Sequence, residues 1–432
     1  MPMENLFKIT IISFLLLLSL ESKGSTRDLD FIFAGNNFIE SNSPEVVHGP
    51  GYVFKHDTFS QERGVQDYPL TGCTDIYFFH INKSGENLNF HLMVKSRDTN
   101  KNNLTLLGSS YTNFEKYLGP YRGQSYSVAY DWIMKKQQHN KRLIIDTTYQ
   151  SLMTKSFYMG SMIDGKFKIC AEQPYYVALV VSRSQSTKTT IKDHLEESAP
   201  GIILPIRKDT YGRVAAIFEK SQILGNIKLE SGFKIKSQKW HINTISKLDK
   251  DRHLQDQTMQ CLINLSDSSC QSNGNYGREY KLKLEIKNNL EKCQRYKISF
   301  GSNYTNKVNK PSFTWNCPIR VGSKMIPTYT TPTNPTQLLT TIDVLQGEEI
   351  KIPIEFIPCG LITAKQNLEI EEMECIEEDV FLQLKKRSRA IQLFIRGSYH
   401  QKITEPEESL KDYNTYLLNE LNLKRNCRQI KI

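Results

Sequence analysis

The chain has 432 residues, of which 39% are hydrophobic, 10% aromatic and 24% charged. This composition excludes an intrinsically disordered protein, which would lack the apolar residues for a core. The length exceeds what one hydrophobic core usually holds, so we expect two domains. The formal net charge is +10, and the basic residues are dispersed. That distribution favours a solvated surface with weak attraction for acidic polymers over a nucleic-acid site.

The N-terminus predicts a cleavable signal peptide over residues 1–24. Its apolar run, from Ile9 to Leu20, is shorter than the roughly 20 residues needed to span a membrane. Ser22 and Gly24 are the small residues that precede a cleavage site, so we place cleavage after Gly24. An uncleaved anchor or a buried core helix is the alternative. Cleavage would make the protein periplasmic or secreted.

The first domain is predicted over residues 25–200. Apolar residues at every second position from 88 to 94 indicate a half-buried strand. Two denser apolar runs, 76–81 and 175–181, indicate strands that are buried on both faces. The polar stretch 183–201 is interpreted as the boundary with the next domain.

Residues 108–166 lack a clear period and are interpreted as a long insertion in the first domain, with a short helix expected over 128–138. Exposed aromatic rings would be the means of binding a sugar, because a flat ring stacks on a pyranose face. Four tyrosines crowd this stretch, and they are weak ligand-binding candidates: Tyr117, Tyr121, Tyr126 and Tyr130. A packed loop is the alternative interpretation.

The second domain is predicted over residues 201–398. Its clearest signal is the alternation of apolar and charged residues from Tyr280 to Lys287, which predicts a half-buried strand. A similar pattern runs from Ile350 to Phe356. Pro353 in that run cannot donate a backbone hydrogen bond, which indicates an edge strand or a bulge.

The tail, residues 399–432, contains apolar residues at helical spacing and predicts one amphipathic helix from about Glu405 to Arg425. The apolar stripe would dock on the protein's own surface or bind a partner. Many short strands with little helix predict a mostly β fold. We expect two tandem immunoglobulin-like β-sandwich domains followed by this C-terminal helix.

All nine cysteines follow the predicted signal peptide. An exported chain meets oxidising conditions, so disulfides are expected, although spacing alone cannot fix their pairing. The hypothesis with the shortest loops pairs Cys261 with Cys270, Cys293 with Cys317 and Cys359 with Cys375, joins Cys73 to Cys170, and leaves Cys427 over. The sequence has no CxxC motif, so neither a zinc ribbon nor a thioredoxin-like redox site is indicated.

The sequence also lacks the short motifs of common enzymes: GxSxG of hydrolases, HExxH of zinc proteases, the EF-hand loop and the full phosphate-binding motif GxxxxGK[ST]. We therefore expect no cofactor. Two histidines are weak metal candidates. His80 shares a strand face with Ile76 and Phe78, which favours a core histidine, and His91 falls on the polar face of its strand. A metal site would require both to meet an acid such as Asp75.

Four segments carry a family resemblance. They are an Asn-Ser-Pro-Glu motif within Ser41–Val47, a Gly-x-x-Asp-Ile-x-x-x-His run in Gly72–Ile81, Gly119–Asp131, and Gly-Asn-Tyr-Gly-x-x-Tyr within Asn273–Tyr280. These resemble a family of exported cyanobacterial proteins of unknown function. The glycines and asparagines of the last segment suit a tight turn that leads into the alternating strand. Phe79 and Ser272 replace histidines of the family pattern, which weakens any histidine-based site.

The sequence favours a non-enzymatic structural or binding component of the periplasm or cell envelope. Its expected partner is an envelope polysaccharide or another envelope protein, and no nucleic acid. One alternative is an envelope hydrolase acting on glycans or peptides, whose two carboxylates would be dispersed along the sequence. Another is a metal-binding periplasmic protein that uses His80 and His91.

Overall fold

The structure is a computed structural model. It describes residues 25–58, 68–98, 101–113, 123–185, 191, 193–200, 214–231, 237–243, 255–265, 268–272, 274–302, 314–360, 362 and 366–375. The predicted signal peptide, the predicted C-terminal helix and Cys427 lie outside these residues. Residues 1–374 form one compact unit and residues 375–432 a second, of which only Cys375 is described.

Within the described residues the chain is mostly β, as the sequence predicts. The strands are β1 (Ser25–Arg27), β2 (Asp30–Ala34), β3 (Asn37–Val47), β4 (Gly51–Lys55), β5 (Leu70–Asn82), β6 (Leu88–Ser96), β7 (Asn102–Thr112), β8 (His139–Ile145), β9 (Gln150–Phe157), β10 (Met162–Arg183), β11 (Val214–Phe218), β12 (Gln222–Glu230), β13 (Ser237–Ile242), β14 (Cys261–Asn264), β15 (Glu279–Lys287), β16 (Gln294–Ser302), β17 (Trp315–Asn316), β18 (Ile319–Val321), β19 (Lys324–Ile326), β20 (Tyr329–Thr330), β21 (Thr336–Val344), β22 (Glu349–Phe356) and β23 (Gln366–Glu374). The described α-helix, α1, is Gln124–Ile133, and a 3-10 turn covers His56–Thr58.

These strands form three main sheets and one two-stranded ribbon. The large sheet has ten strands and follows the order β14-β11-β3-β5-β10-β6-β9, with β4 and β7 also paired to β10 and β8 paired to β7. The six-stranded sheet has the order β19-β18-β22-β15-β12-β2, and the five-stranded sheet the order β1-β13-β23-β16-β21. The ribbon pairs β17 with β20.

The long strand β10 spans two parts of the large sheet. Its first half pairs with β5 and β7, and its second half pairs with β6 and β4. The β5 register shifts between Ala171 and Tyr175, around Pro174, which has no backbone N–H to donate. Phe167 from the first half and Val177 from the second belong to the same core. The two halves therefore enclose one hydrophobic core between them.

The central strands of the large sheet are buried on both faces. Phe38 and Tyr77 face a core shared with the six- and five-stranded sheets, whereas their neighbours Ile39 and Ile76 face the core enclosed by β10. This confirms the burial predicted from the dense apolar run 76–81. The strand β6 differs from its prediction as a half-buried strand, because a small cluster that includes Met93, Val180 and Leu195 covers its second face.

Two interpretations of chain organisation need correction. Strand β3 pairs with β11, and β2 pairs with β12, so two sheets contain strands from both sides of the predicted boundary between residues 200 and 201. The stretch 108–166 is not an insertion, because β7, β8, β9 and β10 are members of the large sheet and α1 lies between them in the chain. Its helix ends at Ile133, earlier than expected, and Lys135 has a left-handed backbone (φ 56°).

The disulfide hypothesis is also corrected in part. Cys73–Cys170 joins directly opposed residues of β5 and β10, and Cys261–Cys270 closes a short loop. Cys293 and Cys375 are each disulfide-bonded, whereas Cys317 and Cys359 are buried free thiols. The predicted pairs Cys293–Cys317 and Cys359–Cys375 are therefore wrong, since strand pairing, and not closeness in sequence, decides which cysteines meet. These disulfides are compatible with an exported protein. The described part of the chain contains no helix long and apolar enough to cross a membrane.

Candidate functional site

A small open pocket lies where the end of α1 meets the six-stranded sheet. Its volume is about 190 Å³. That is below the roughly 300–1,000 Å³ of pockets for drug-sized ligands, so it suits one small polar unit. The indole of Trp132, two acids and three cations supply most of its polar wall. The lining residues are Trp132, Ile133, Lys135, Glu279, Tyr280, Lys281, Arg320, Glu355, Phe356 and Ile357.

Strand register brings the charged residues of the pocket together. On β15, Lys281 lies directly opposite Glu355 of β22, and Glu355 also lies opposite Arg320 of β18. Directly opposed residues of adjacent strands point to the same face of a sheet, and residues two apart on one strand share a face. Glu279 therefore shares this face with Lys281. The adjoining apolar residues, Tyr280 and Phe356, turn inward and stack with ring centroids 4.8 Å apart.

Glu279 is held in its ionised form. Its carboxylate accepts hydrogen bonds from Trp132 Nε1, from Gln222 Nε2 at 2.8 Å and from Lys281 Nζ at 2.8 Å. Burial acts to raise the pKa of Glu279, but the charges of Lys166 and Lys281 and the hydrogen bonds outweigh it and hold the pKa below its usual value. The side chain is only 15% exposed, which makes this carboxylate a fixed acceptor.

The second acid of the pocket, Glu355, forms an ion pair with Arg320. Both acids are thus matched by a neighbouring cation. Lys135 is exposed and adds a further positive charge, so three cations against two acids leave the pocket wall with a net charge of +1. An anionic group would be attracted to this wall.

The indole of Trp132 is fixed by more than its hydrogen bond to Glu279. Lys166 Nζ lies 4.5 Å from the ring centroid and Lys168 Nζ 5.9 Å from it. Lys166 is buried and donates a hydrogen bond to the carbonyl of Gly277 at 2.7 Å. Burial lowers the pKa of Lys166, although the nearby charges of Asp75 and Glu279 oppose this. Cation packing and the hydrogen bond together preorganise the aromatic wall.

The turn that leads into Glu279 is built from left-handed residues. Gly274, Asn275 and Gly277 have φ values of 90°, 52° and 75°, which confirms the tight turn predicted for this segment. Asn275 stabilises it by donating a hydrogen bond to the carbonyl of Gln257 at 2.6 Å. A side chain at Gly277 would overlap the ring of Tyr77. The turn therefore packs directly on β5.

Next to this turn, Arg278 forms a fully buried ion pair with Glu40 of β3, with Nη1 and Oε2 3.4 Å apart. The guanidinium lies between the rings of Phe38 and Phe218, 4.6 and 4.5 Å from their centroids. Burial lowers the pKa of Arg278 to about 10, against the opposing charge of Glu40. No solvent reaches this pair, so it joins the turn to the large sheet and does not face a ligand.

Residues 183–318 match the family model described as "Protein of unknown function (DUF3370)". The predicted resemblance to a family of unknown function is confirmed. Of the four segments that carry that resemblance, Asn273–Tyr280 lies within the matched residues. The match therefore covers the turn, Arg278 and Glu279.

No curated protein sequence matches the chain. Among solved structures, the chain is similar to the CUB1-EGF-CUB2 domains of rat MASP-1, with 6% identity, 80% of this chain and 100% of that chain covered, and a TM-score of 0.18. It is also similar to the CBM22-1-CBM22-2 tandem domain of Paenibacillus barcinonensis Xyn10C, with 8% identity, 82% and 92% covered, and a TM-score of 0.16. Scores this low carry no argument about function.

The structure does not bring the two predicted metal candidates together. His80 is buried beside Phe90 and its Nε2 lies 3.2 Å from Ser41 Oγ, as expected of a core histidine. His91 is buried too, contrary to its expected place on a polar face, and its ring nitrogens contact Thr154 and Ser182. Strands β5 and β6 do not pair with each other. The described residues contain no cluster of three or more possible metal ligands.

The predicted tyrosine candidates do not line the pocket either. Tyr126 is 2% exposed on the inner face of α1, so its ring cannot stack on an external ligand. Tyr130 is half-buried, and its ring lies 5.6 Å from Lys136 Nζ. Tyr117 and Tyr121 lie outside the described residues. The pocket uses a different aromatic residue of the same helix, Trp132.

Sequence reasoning missed the pocket because its residues come from four separate parts of the chain. Glu279 lies within the segment of family resemblance, and Trp132 lies within the stretch expected to be helical, so the sequence indicates the structure around both residues but not their contact. Arg320 and Glu355 had no local signal. Only the pairing of β18, β22 and β15 brings these charges to one place.

Proposed function

We propose that this protein is an exported, non-enzymatic binding protein, and that the pocket beside Trp132 holds an acidic unit of an envelope polysaccharide. The observation that carries the proposal is the fixed indole beside a wall with three cations and two already paired acids. A sugar ring would pack against the indole, and its carboxylate would be attracted to Lys135. The overall charge of +10 adds a long-range attraction for such a polymer.

The state of the pocket acids supports binding over hydrolysis. A glycosidase needs one carboxyl group that donates a proton, with a raised pKa, and a second that acts as nucleophile or base. Glu279 has a lowered pKa and accepts three hydrogen bonds, and Glu355 is paired with Arg320. Neither is arranged to donate a proton.

Intrinsic fluorescence tests the proposal. The chain has three tryptophans, of which Trp240 and Trp315 are buried and Trp132 is partly exposed in the pocket. We expect a saturable fluorescence change when the mature protein is titrated with an oligosaccharide of uronic acid units. The Trp132→Phe variant should lose that change, whereas Trp240→Phe should keep it.

A charge variant tests the preference for acidic sugars. Lys135→Gln should weaken binding of the uronic acid oligosaccharide several-fold without affecting folding, because the lysine is exposed. Lys324→Gln, an exposed lysine of β19 outside the pocket, is the matched control and should bind as the unaltered protein does. Equal binding by neutral and acidic oligosaccharides, or binding that Trp132→Phe leaves intact, would reject the proposed site.

A further inference from the structure

Two free thiols lie close together beyond the adjoining ends of β18 and β22, two strands that contribute to the proposed binding pocket. Cys317 and Cys359 are both fully buried, at 0% and 1% exposure, and they are the free cysteines among the described residues. Cys317 Sγ lies 3.5 Å from the carbonyl oxygen of Cys359, and the two side chains are hydrogen-bonded. They are separated by 42 positions in the sequence, so the fold and not local chain geometry brings them together.

The positions of these thiols follow from strand pairing. Cys317 lies two residues before β18 and Cys359 three residues after β22, and these antiparallel strands are in register at Ile319 and Phe356. Continuing the ladder by two residues sets Cys317 opposite Pro358, so Cys359 is its diagonal neighbour. The contact that brings the two cysteines together is the one between Cys317 Sγ and the carbonyl oxygen of Cys359, at 3.5 Å.

The backbone around both cysteines is anchored independently of the thiols. Trp315 Nε1 donates a hydrogen bond to the carbonyl of Cys317 at 2.8 Å. On the other side, Gly277 N–H donates to the carbonyl of Pro358 at 2.7 Å, and Gly360 N–H donates to Tyr77 Oη at 2.7 Å. The two strand ends are therefore held close whether or not a bond joins the sulfurs.

We propose that Cys317 and Cys359 are joined by a further disulfide in the exported protein. The chain already holds Cys73–Cys170 and Cys261–Cys270, so its thiols meet an environment that oxidises cysteine pairs. The bond would clamp the ends of β18 and β22, which carry Arg320 and Glu355 of the pocket wall. The proposed disulfide does not depend on which ligand the pocket binds.

The oxidation proceeds by exchange with a small-molecule or protein disulfide. One cysteine thiolate attacks that disulfide, forms a mixed disulfide and releases one thiolate. The second cysteine then attacks the mixed disulfide, which forms the Cys317–Cys359 bond and releases the second thiolate. The two protons lost by the cysteines are taken up by the two released thiolates, so the partner disulfide is reduced. Because both side chains are buried in the fold, this exchange precedes closure of the core.

Thiol counting on an exported Cys427→Ser variant tests the proposal, since this substitution removes the cysteine that lies outside the described residues. The protein is denatured without reductant, alkylated, and digested. We expect no alkylated cysteine and a cross-linked peptide pair containing Cys317 and Cys359, which reduction separates with the gain of two hydrogens. Alkylation of both cysteines in protein with its other disulfides intact would overturn the proposal.

A variant pair guards against an effect of misfolding. In the Cys427→Ser background, a further Cys359→Ser substitution should leave one alkylated cysteine, Cys317, whereas Cys317→Ser/Cys359→Ser should leave none and retain the Cys73–Cys170 and Cys261–Cys270 peptides. Refolding of the reduced protein in oxidised and reduced glutathione supplies a second readout. If the Cys317–Cys359 peptide forms only before native fluorescence appears, the result supports exchange ahead of core closure. If both thiols of the refolded native protein can still be alkylated, the result contradicts the proposed disulfide.

Discussion

Asp164 should make the stability of this protein fall as the pH rises. Its carboxyl group is fully buried, and Oδ1 has no hydrogen-bond partner among the described residues. Burial raises the pKa of Asp164 from 3.8 to about 7, although hydrogen bonds from Ser125, Tyr77 and the Gly165 backbone favour the charged form. At neutral pH the folded chain must therefore either keep this acid protonated or hold a buried charge.

The sign and size of the effect follow from linkage. The folded-state pKa lies above the unfolded value, so the unfolded state loses its proton first. The contribution of Asp164 to the free energy of unfolding is then fully present below pH 3.8 and is lost progressively until about pH 7. A shift of about 3 pKa units corresponds to about 4 kcal/mol. The Asp164→Asn variant cannot ionise, so its stability relative to the unaltered protein should rise by about this amount between pH 4 and pH 8.

Urea unfolding of both proteins at pH 4, 6 and 8 measures this difference. The comparison between the two cancels the contributions of other titrating groups, because they are present in both. The constant cost or gain of the amide group itself shifts all three points equally. A stability difference that stays the same across this pH range would refute the assignment of a raised pKa to Asp164.

Three further variants test buried groups elsewhere in the fold. Glu40→Gln should cost about 3–5 kcal/mol in urea unfolding, because it leaves the buried charge of Arg278 without its partner; a loss below about 1 kcal/mol would contradict this. Gly277→Ala should lower thermal stability strongly, by about 3 kcal/mol or more, since it combines a left-handed backbone with overlap on Tyr77. Burial lowers the pKa of His91 to about 4, so stability should fall by about 3 kcal/mol as the pH drops from 6.5 to 4, and His91→Gln should abolish this fall.

Local patterns predicted individual strands well. The alternation from Tyr280 to Lys287 corresponds to β15, and each of its apolar residues lies in the core. Pro353 was expected at an edge or bulge. That prediction is wrong, because β22 lies between β18 and β15 and its ladder with β15 has no bulge. Pro353 is tolerated there because β18 begins to pair only at Ile354. The alternation is a local signal, since it depends on which face of a strand is buried.

The arrangement of strands could not be predicted in the same way. The division between residues 200 and 201 fails to separate the sheets because β3 finds its partner in β11, far along the chain. A strand that is buried on both faces gives no period that would reveal which partners cover it. The second face of β6 was expected to be polar, yet it is covered by a cluster that includes Leu195.

The candidate site was the least predictable part. Its charges become neighbours only through strand register, and in sequence they resemble ordinary surface charges. The residue type of His80 and His91 suggests a metal site, but each ring is hydrogen-bonded to a nearby hydroxyl group. The buried free cysteines show the same limit, because Cys317 and Cys359 meet across strands rather than along the chain.

Binding without turnover at the Trp132 pocket is most directly tested by gel filtration with a labelled oligosaccharide of uronic acid units. The protein and its Trp132→Phe variant are each incubated with the labelled ligand, separated, and the recovered ligand is sized by mass spectrometry. We predict that the ligand co-elutes with the unaltered protein, not with the variant, and is recovered at its original length. Failure to co-elute would contradict the binding site, and recovery of shortened products would contradict the non-enzymatic role.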